Sequence, residues 1–298
     1  MSEDKPLGPP WTILKLLRWT TDFFKQKGID SPRLDAELLL AHVLDVDRIH
    51  LYTQYDRPLI DEELSAFRAL VKRRSRREPC AYILGNREFW SLELAVDPRV
   101  LIPRPDTEVL VETVLKLLDT DSAGHLVDIG TGSGAIAIAV ASERPLLQVA
   151  ATDTSEDALD LARKNASTHQ LEERISFFEG DLLDALPDTW RPLDFVVSNP
   201  PYVEERDRDD IQPEVRDFEP ANALFAGEDG LDVIRRLIPQ ARLSLRPGGY
   251  LLFEIGHRQA EAVRDLLATQ DFEDIEVITD YGDRDRVAVA RKPAASSA

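Results

Sequence analysis

"LVDIGTGSGAIAIA", residues 126–139, is the stretch on which the reading of the fold turns. An apolar run enters three glycines, Gly130, Gly132 and Gly134, and leaves directly into alanines and isoleucines. Glycine allows a sharp backbone turn and lets a ligand approach with no Cβ in the way. A helix that begins just after it presents free N–H groups. Strand, glycine turn and helix in that order make one unit of a doubly wound α/β sheet.

Six further apolar runs follow the same rhythm: "QVAATD", "ISFFEG", "LDFVVSN", "YLLFEIG", "IEVITD" and "VAVARK". Amphipathic stretches such as "SEDALDLARKNAST" and "GLDVIRRLIPQARLSL" lie between strand candidates. Residues 106–298 therefore predict a mostly parallel, doubly wound sheet of seven strands. Upstream, residues 86–105 read as a hairpin and a proline-bearing linker, with Phe89, Leu92, Leu94 and Val96 alternating. Residues 1–85 read as a small helical bundle. There Ile13, Leu16, Leu17 and Thr20 share a face, Gly28 ends the first helix, and Ser31–Pro32 opens the second. The run Lys72, Arg73, Arg74, Arg76 and Arg77 is read as a solvated helix end, with a nucleic-acid patch as the alternative. The tail "PAASSA" is expected to be disordered.

Composition narrows the function. The chain has 298 residues and a net charge of −19; residues 1–100 hold 16 basic and 16 acidic side chains, and the rest hold 20 against 39. A region this acidic suits duplex nucleic acid poorly, because that affinity comes largely from neutralising phosphates; a general acidic bias that says nothing about partners is the alternative. One cysteine, Cys80, excludes a disulfide framework, and five scattered histidines offer no ligand spacing, so no metal is expected. The opening "MSEDKPLGPP" does not read as a signal peptide, and no apolar run reaches membrane-spanning length. A cytoplasmic protein, not bound to membrane, is the expectation.

NAD, FAD and S-adenosylmethionine sites all use a turn like Gly130–Gly134, and it can also be purely structural. Asp153, nineteen residues beyond Gly134, is placed to accept hydrogen bonds from ribose hydroxyls, or else to cap the next helix. In "EGDLL" (179–183), Asp181 would accept from an adenine amino group while Leu182 covers the ring; a turn aspartate is the alternative. In "VVSNPPYVEE" (196–205), two prolines stiffen the backbone behind Asn199 at a strand end. The Asn199 carboxamide and the Pro200 carbonyl offer two acceptors, suited to a planar NH₂ group with two hydrogens to place. Tyr202 would stack on that group or close the pocket. On this reading Asn199 binds and orients, no general base stands out in "NPPY", and Asn199→Asp keeps part of the activity because an acceptor remains.

"NPPY" downstream of "VDIGTGSG" resembles the S-adenosylmethionine-dependent methyltransferases that modify planar NH₂ nitrogens, among them DNA, rRNA and protein-glutamine enzymes. "YILGNREFWSLELAVDPRVLIPRPDTE" (82–108), "NPPYV" (199–203), "FEPANALFAGEDGL" (218–231) and "YGDRDRVAVARK" (281–292) resemble the peptide chain release factor glutamine methyltransferases in particular. The likeness spans about residues 12 to 292, including the helical region. It implies a class I methyltransferase sheet, S-adenosylmethionine as cofactor, and class I release factors as protein substrates, methylated on the glutamine of a Gly-Gly-Gln loop. It further implies that Gly130, Thr131, Gly132, Ser133 and Gly134 line the methionine end of the cofactor and Asp153 its ribose. Asn199, Pro200, Pro201 and Tyr202 would hold the substrate amide, with Asn199, Pro200 and Tyr202 acting in the transfer and Asn199 also near the cofactor. Leu182 stands where some members carry an aromatic residue. A DNA or rRNA amino-methyltransferase, a non-catalytic cofactor-binding module and an NAD-dependent oxidoreductase are the competing readings. The stretch 203–222 is either a substrate-recognition lid or disordered.

Overall fold

The computed structural model describes residues 10–121 and 123–295. The readings of the extreme N-terminus and of the last residues of the tail fall on 1–9 and 296–298, outside the described residues. The chain divides into two compact units: Met1–Gly85 with Pro213–Phe218, and Asn86–Gln212 with Glu219–Ala298.

The first unit opens with α1 (Ile13–Gln26), α2 (Pro32–Leu44), α3 (Arg48–Thr53), α4 (Asp61–Arg74) and α5 (Cys80–Leu84). Helix α1 begins at Thr12, whose side chain accepts from the Lys15 amide, and buries Ile13, Leu16, Thr20 and Phe24 along one stripe. Gly28, at φ 72°, ends it in a conformation that favours glycine. Phe24, Leu39, Leu40, Leu51 and Phe67 form the centre of this unit's core.

In the basic run at the end of α4, Lys72, Arg73 and Arg76 are exposed, as a solvated helix end requires, but Arg74 and Arg77 are not. Arg74 is 6% exposed and donates to Asp35 of α2 at 2.6 Å and to Glu214 at 2.9 Å. Arg77 donates to the other Glu214 oxygen at 2.6 Å, and Arg73 donates to Glu78 at 2.9 Å. Glu214 comes from a segment 140 residues away in sequence, so no local pattern announces it. A buried guanidinium is tolerable only with such partners.

The second unit begins with a hairpin, β1 (Asn86–Phe89) and β2 (Leu92–Ala95), turned by Trp90 and Ser91 at positive φ. It continues through α6 (Glu108–Leu117), β3 (Gly124–Ile129), α7 (Ala135–Glu143), β4 (Leu147–Asp153), α8 (Glu156–Thr168), β5 (Ile175–Glu179) and β6 (Leu193–Ser198). Helix α9 (Pro213–Phe218) is the segment that groups with the first unit. Then come α10 (Asp232–Ser244), β7 (Leu245–Glu254), α11 (Ala260–Thr269), β8 (Glu273–Thr279) and β9 (Asp285–Arg291).

Strands β3 to β9 form one seven-stranded sheet in the order β5-β4-β3-β6-β7-β9-β8. The pairs β5–β4, β4–β3, β3–β6 and β6–β7 are parallel, and β9 is antiparallel to both β7 and β8. Each predicted strand is present. Their apolar runs are continuous because helices cover both faces of a parallel sheet. Leu126 and Val197 point into one core layer, and Val127, Ile129 and Val196 into the other. Chain order reverses between β3 and β6, and in such sheets ligands bind beyond the carboxyl ends of the strands at that switch.

Candidate active site

Strand register places the site. Ile129 at the end of β3 is opposite Thr152 of β4 and Ser198 of β6, so Gly130, Asp153 and Asn199 leave the sheet abreast. Asp153 is opposite Glu179, which brings Gly180 and Asp181 alongside. Ser198 is opposite Phe253, which puts Glu254 beside Asn199. A cavity of about 430 Å³ lies over these strand ends, within the usual size of small-molecule sites.

The glycine turn forms one wall. A Cβ built on Gly130 meets nothing within 4 Å, and one on Gly132 comes only to 4.0 Å from Val100. Both residues line the cavity, so side chains there would occupy the space of a ligand. Gly134 does something else. It lies outside the cavity wall at φ 83°, and a Cβ on it would sit 3.0 Å from Ile138 and 3.2 Å from Ala162, so it allows α7 and α8 to approach closely. Thr131 and Ser133 line the cavity. Asn165 of α8, buried, donates to the Ser133 carbonyl at 2.9 Å and exchanges bonds with Ala95 of the hairpin, so that hairpin, helix and turn hold one another.

Asp153 braces this wall: one oxygen accepts from the Gly132 amide at 2.9 Å and the other from the Ser155 amide at 3.0 Å. Ser155, not Asp153, caps α8 with its side chain. Burial raises the pKa of Asp153. Leu182 is buried in the wall at φ 51°, while Asp181, half exposed, pairs with Arg236, another wall residue. Beneath the turn lies Asp128, which the sequence reading passed over. One of its oxygens accepts from the Thr131 hydroxyl at 2.7 Å and the Ala137 amide at 3.2 Å. The other has no partner, and full burial pushes its pKa up to about 7.

The opposite wall carries Asn199, Pro200 and Pro201. Asn199 Nδ2 donates to Thr107 Oγ1 at 3.1 Å, which leaves Oδ1 as the acceptor of this amide. Thr107 donates in turn to Glu254 Oε2 at 2.6 Å. Tyr202 does not line the cavity; its hydroxyl donates to Glu254 Oε1 at 2.9 Å. Burial, reinforced by the charge of Glu254, raises the Tyr202 pKa, and burial raises that of Glu254. Arg286 lies 4.0 Å from Glu254 and closer to Asp280, at 3.1 Å.

The stretch 203–222 is structured where it leaves this wall: the Val203 amide donates to the Leu224 carbonyl at 2.9 Å, and the Ala226 amide donates to the Val203 carbonyl at 3.0 Å. A side chain on Gly230, at φ 71°, would collide with the Tyr202 carbonyl, and Gln259 donates to that same carbonyl at 3.1 Å. Glu219, 5% exposed, accepts from the Ile102 amide at 3.0 Å and from Arg104 at 2.5 Å, tying the linker to the segment after it. Thr107, Asp128, Asn165, Glu219 and Glu254 escaped the sequence reading. Asp128 in "LVDIG" and Glu254 in "YLLFEIG" left a trace, an acid inside an otherwise apolar strand.

A doubly wound sheet of this order, with a glycine turn, an acid on the next strand end and an open cavity between them, defines an S-adenosylmethionine-dependent methyltransferase of class I. Solved structures share the fold: a methyltransferase from Pyrococcus furiosus (TM-score 0.51, 16% identity, 68% of this chain and 89% of that one). The 16S rRNA methyltransferase RsmC of T. thermophilus, solved with AdoMet and guanosine, is similar to the same degree (TM-score 0.51, 18% identity, 70% of this chain and 49% of that one). Family models for the PrmC N-terminal domain and the methyltransferase small domain match residues 15–85 and 105–215. The release factor glutamine methyltransferase of Geobacter sulfurreducens is 45% identical over 94% of this chain and 97% of its own length. That of Rhodopirellula baltica is 42% identical over 95% and 97%, and that of Xylella fastidiosa (strain 9a5c) 48% over 88% and 94%. The chain belongs to the release factor glutamine methyltransferase family.

Proposed function

We infer that this chain transfers the methyl group of S-adenosylmethionine to the side-chain amide nitrogen of the glutamine in the Gly-Gly-Gln loop of class I peptide chain release factors. Asn199 carries the reading: it lies in the cavity wall and donates Nδ2 to Thr107 at 3.1 Å, which leaves Oδ1 as the acceptor for a ligand. S-adenosylmethionine supplies a methyl group already activated by its sulfonium. What remains for the chain is to hold a poor nucleophile in line, and orientation of that kind can account for about 7–11 kcal/mol of a barrier. Asn199 Oδ1 and the Pro200 carbonyl accept the two hydrogens of the substrate NH₂. Gly130 to Ser133 face the methionine end of the cofactor, Asp153 its ribose, and Asp181 and Leu182 its adenine.

Nothing between Asn199 and Tyr202 takes the proton. A carboxamide has no basic site near neutral pH, and the Tyr202 hydroxyl, its pKa raised, stays protonated. The proton therefore leaves to solvent. The helical region, residues 1–85, serves substrate recognition, and the reaction belongs in the cytoplasm, where release factors work. The excess of 39 acidic over 20 basic side chains beyond residue 100 favours a protein substrate over nucleic acid.

The test is intact-mass analysis after incubation with S-adenosylmethionine and two purified release factors, one native and one with its loop glutamine changed to alanine. One added methyl group on the native factor alone supports the reading. Methylation of both moves the target elsewhere. Methylation of neither, with cofactor binding confirmed, returns the search to nucleic-acid amines or to a binding-only role.

A further inference from the structure

Glu254 is 1% exposed, Thr107 is 4% exposed, and neither belongs to the glycine turn or to Asn199–Tyr202. Thr107 also lines the cavity, whereas Glu254 does not. The directions of their bonds are linked. A carboxylate only accepts, so Tyr202 and Thr107 must each give it their single hydroxyl hydrogen. With that hydrogen committed, Thr107 Oγ1 can only accept from Asn199, and only the NH₂ side of the amide has a hydrogen to give. The two faces of a carboxamide have nearly the same shape but opposite chemistry. Reversed, Asn199 would point its NH₂ at the substrate NH₂, donor against donor, where transfer needs an acceptor.

We propose that Thr107 and Glu254 are positioning residues for methyl transfer: the Glu254 carboxylate sets the direction of the Glu254–Thr107–Asn199 chain and so locks Asn199 with Oδ1 toward the cavity. Tyr202 takes part by donating to the second carboxylate oxygen, Oε1, which Arg286 also approaches at 4.0 Å, so that Oε2 is left to Thr107. The proposal rests on the preceding reading of Asn199 as the acceptor for the substrate amide.

Thr107→Val keeps the shape and removes both bonds; Thr107→Ser keeps the hydroxyl. Each full-length variant is compared with the wild type for S-adenosylmethionine affinity by calorimetry and for kcat and KM on a release factor. Loss of one orienting contact should lower kcat by about 30- to 100-fold in Thr107→Val, with cofactor affinity and KM changed by less than about threefold. Thr107→Ser should recover at least about tenfold of that loss. Turnover in Thr107→Val within about threefold of wild type, or an equal loss in Thr107→Ser, overturns the proposal. A second measurement needs no substrate: hydrogen exchange of the Asn199 side-chain NH₂ by ¹H–¹⁵N spectroscopy, its signals identified by their absence in Asn199→Ala. Exchange should be at least about tenfold faster in Thr107→Val, and an unchanged rate overturns the proposal. If the wild type methylates no release factor, the substrate reading fails by itself, and the exchange rates still decide whether Thr107 holds the amide.

Discussion

Asn199→Asp exchanges an NH₂ for an oxygen and tests which way the amide faces. Asn199 Nδ2 is 3.1 Å from Thr107 Oγ1, which is 2.6 Å from Glu254 Oε2, so an ionised aspartate would stand within about 6 Å of a buried carboxylate. At an effective dielectric constant of 20 the repulsion is about 3 kcal/mol, a factor of roughly 100 against the ionised form. Arg286, itself paired with Asp280, lies 4.0 Å from Glu254 and offsets part of it. Thr107 also has a single hydrogen and cannot serve two carboxylates. The protonated acid, however, imitates asparagine: its O–H donates to Thr107 and its carbonyl oxygen faces the cavity.

The variant is therefore competent when residue 199 is protonated, and activity is lost as pH rises through its raised pKa. Single-turnover transfer at saturating cofactor and release factor, followed by intact mass from pH 6 to 8.5, gives the ratio of variant to wild-type rate. A shift of about two pH units puts the pKa near 6, so the ratio should be about one-hundredth at pH 8 and rise about fiftyfold toward pH 6. Sequence reasoning, which saw only a retained acceptor, expects partial activity without that slope. A flat ratio would refute the placement of Nδ2 against the Thr107–Glu254 pair.

Three further outcomes follow from packing and burial. Gly134→Ala, with its Cβ 3.0 Å from Ile138 and 3.2 Å from Ala162 at φ 83°, should cost about 2–4 kcal/mol and lower the melting temperature by about 5–10 °C; an unchanged melting temperature would show the turn to be more yielding than this. Asp128, held up at about 7, binds its proton more tightly folded than unfolded, so the stability it contributes is present at low pH and lost as pH rises through about 7. Asp128→Asn should accordingly melt above wild type at pH 8.5, with the gap narrowing toward pH 5; a gap independent of pH would contradict the unpartnered carboxylate oxygen. Arg74→Met leaves Asp35 buried without its guanidinium and should destabilise the chain by about 3–5 kcal/mol in a denaturant titration, whereas a loss under about 1 kcal/mol would mean the ion pairs are dispensable.

Much of the architecture was legible because parallel strands covered on both faces must be apolar throughout, and runs such as "LVDIG" and "LDFVVSN" have few other uses. The glycine turn and Asn199–Pro200–Pro201 were legible for a related reason: glycine and proline constrain the backbone wherever they occur. Gly134 was harder, since one residue type serves both ligand access and helix packing, and only Ala162 of the neighbouring helix tells them apart. Tyr202 was placed at the pocket for its ring, and only the structure shows that its hydroxyl donates to Glu254. Arg74 and Arg77, at the end of α4 and just beyond it, looked solvated like their neighbours because Glu214, the partner of both, lies some 140 residues downstream.

By itself, then, the sequence determined the layers, the helical region, the glycine turn and the asparagine at a strand end, all of which follow from local periodicity and backbone constraint. Only the tertiary structure decided which way that asparagine faces. The choice depends on Thr107, 92 residues before it, and Glu254, joined through a parallel register that sets Ser198 opposite Phe253. Hydrogen-bond direction is a property of atoms in contact, and contacts across a sheet are made between residues that no local pattern relates.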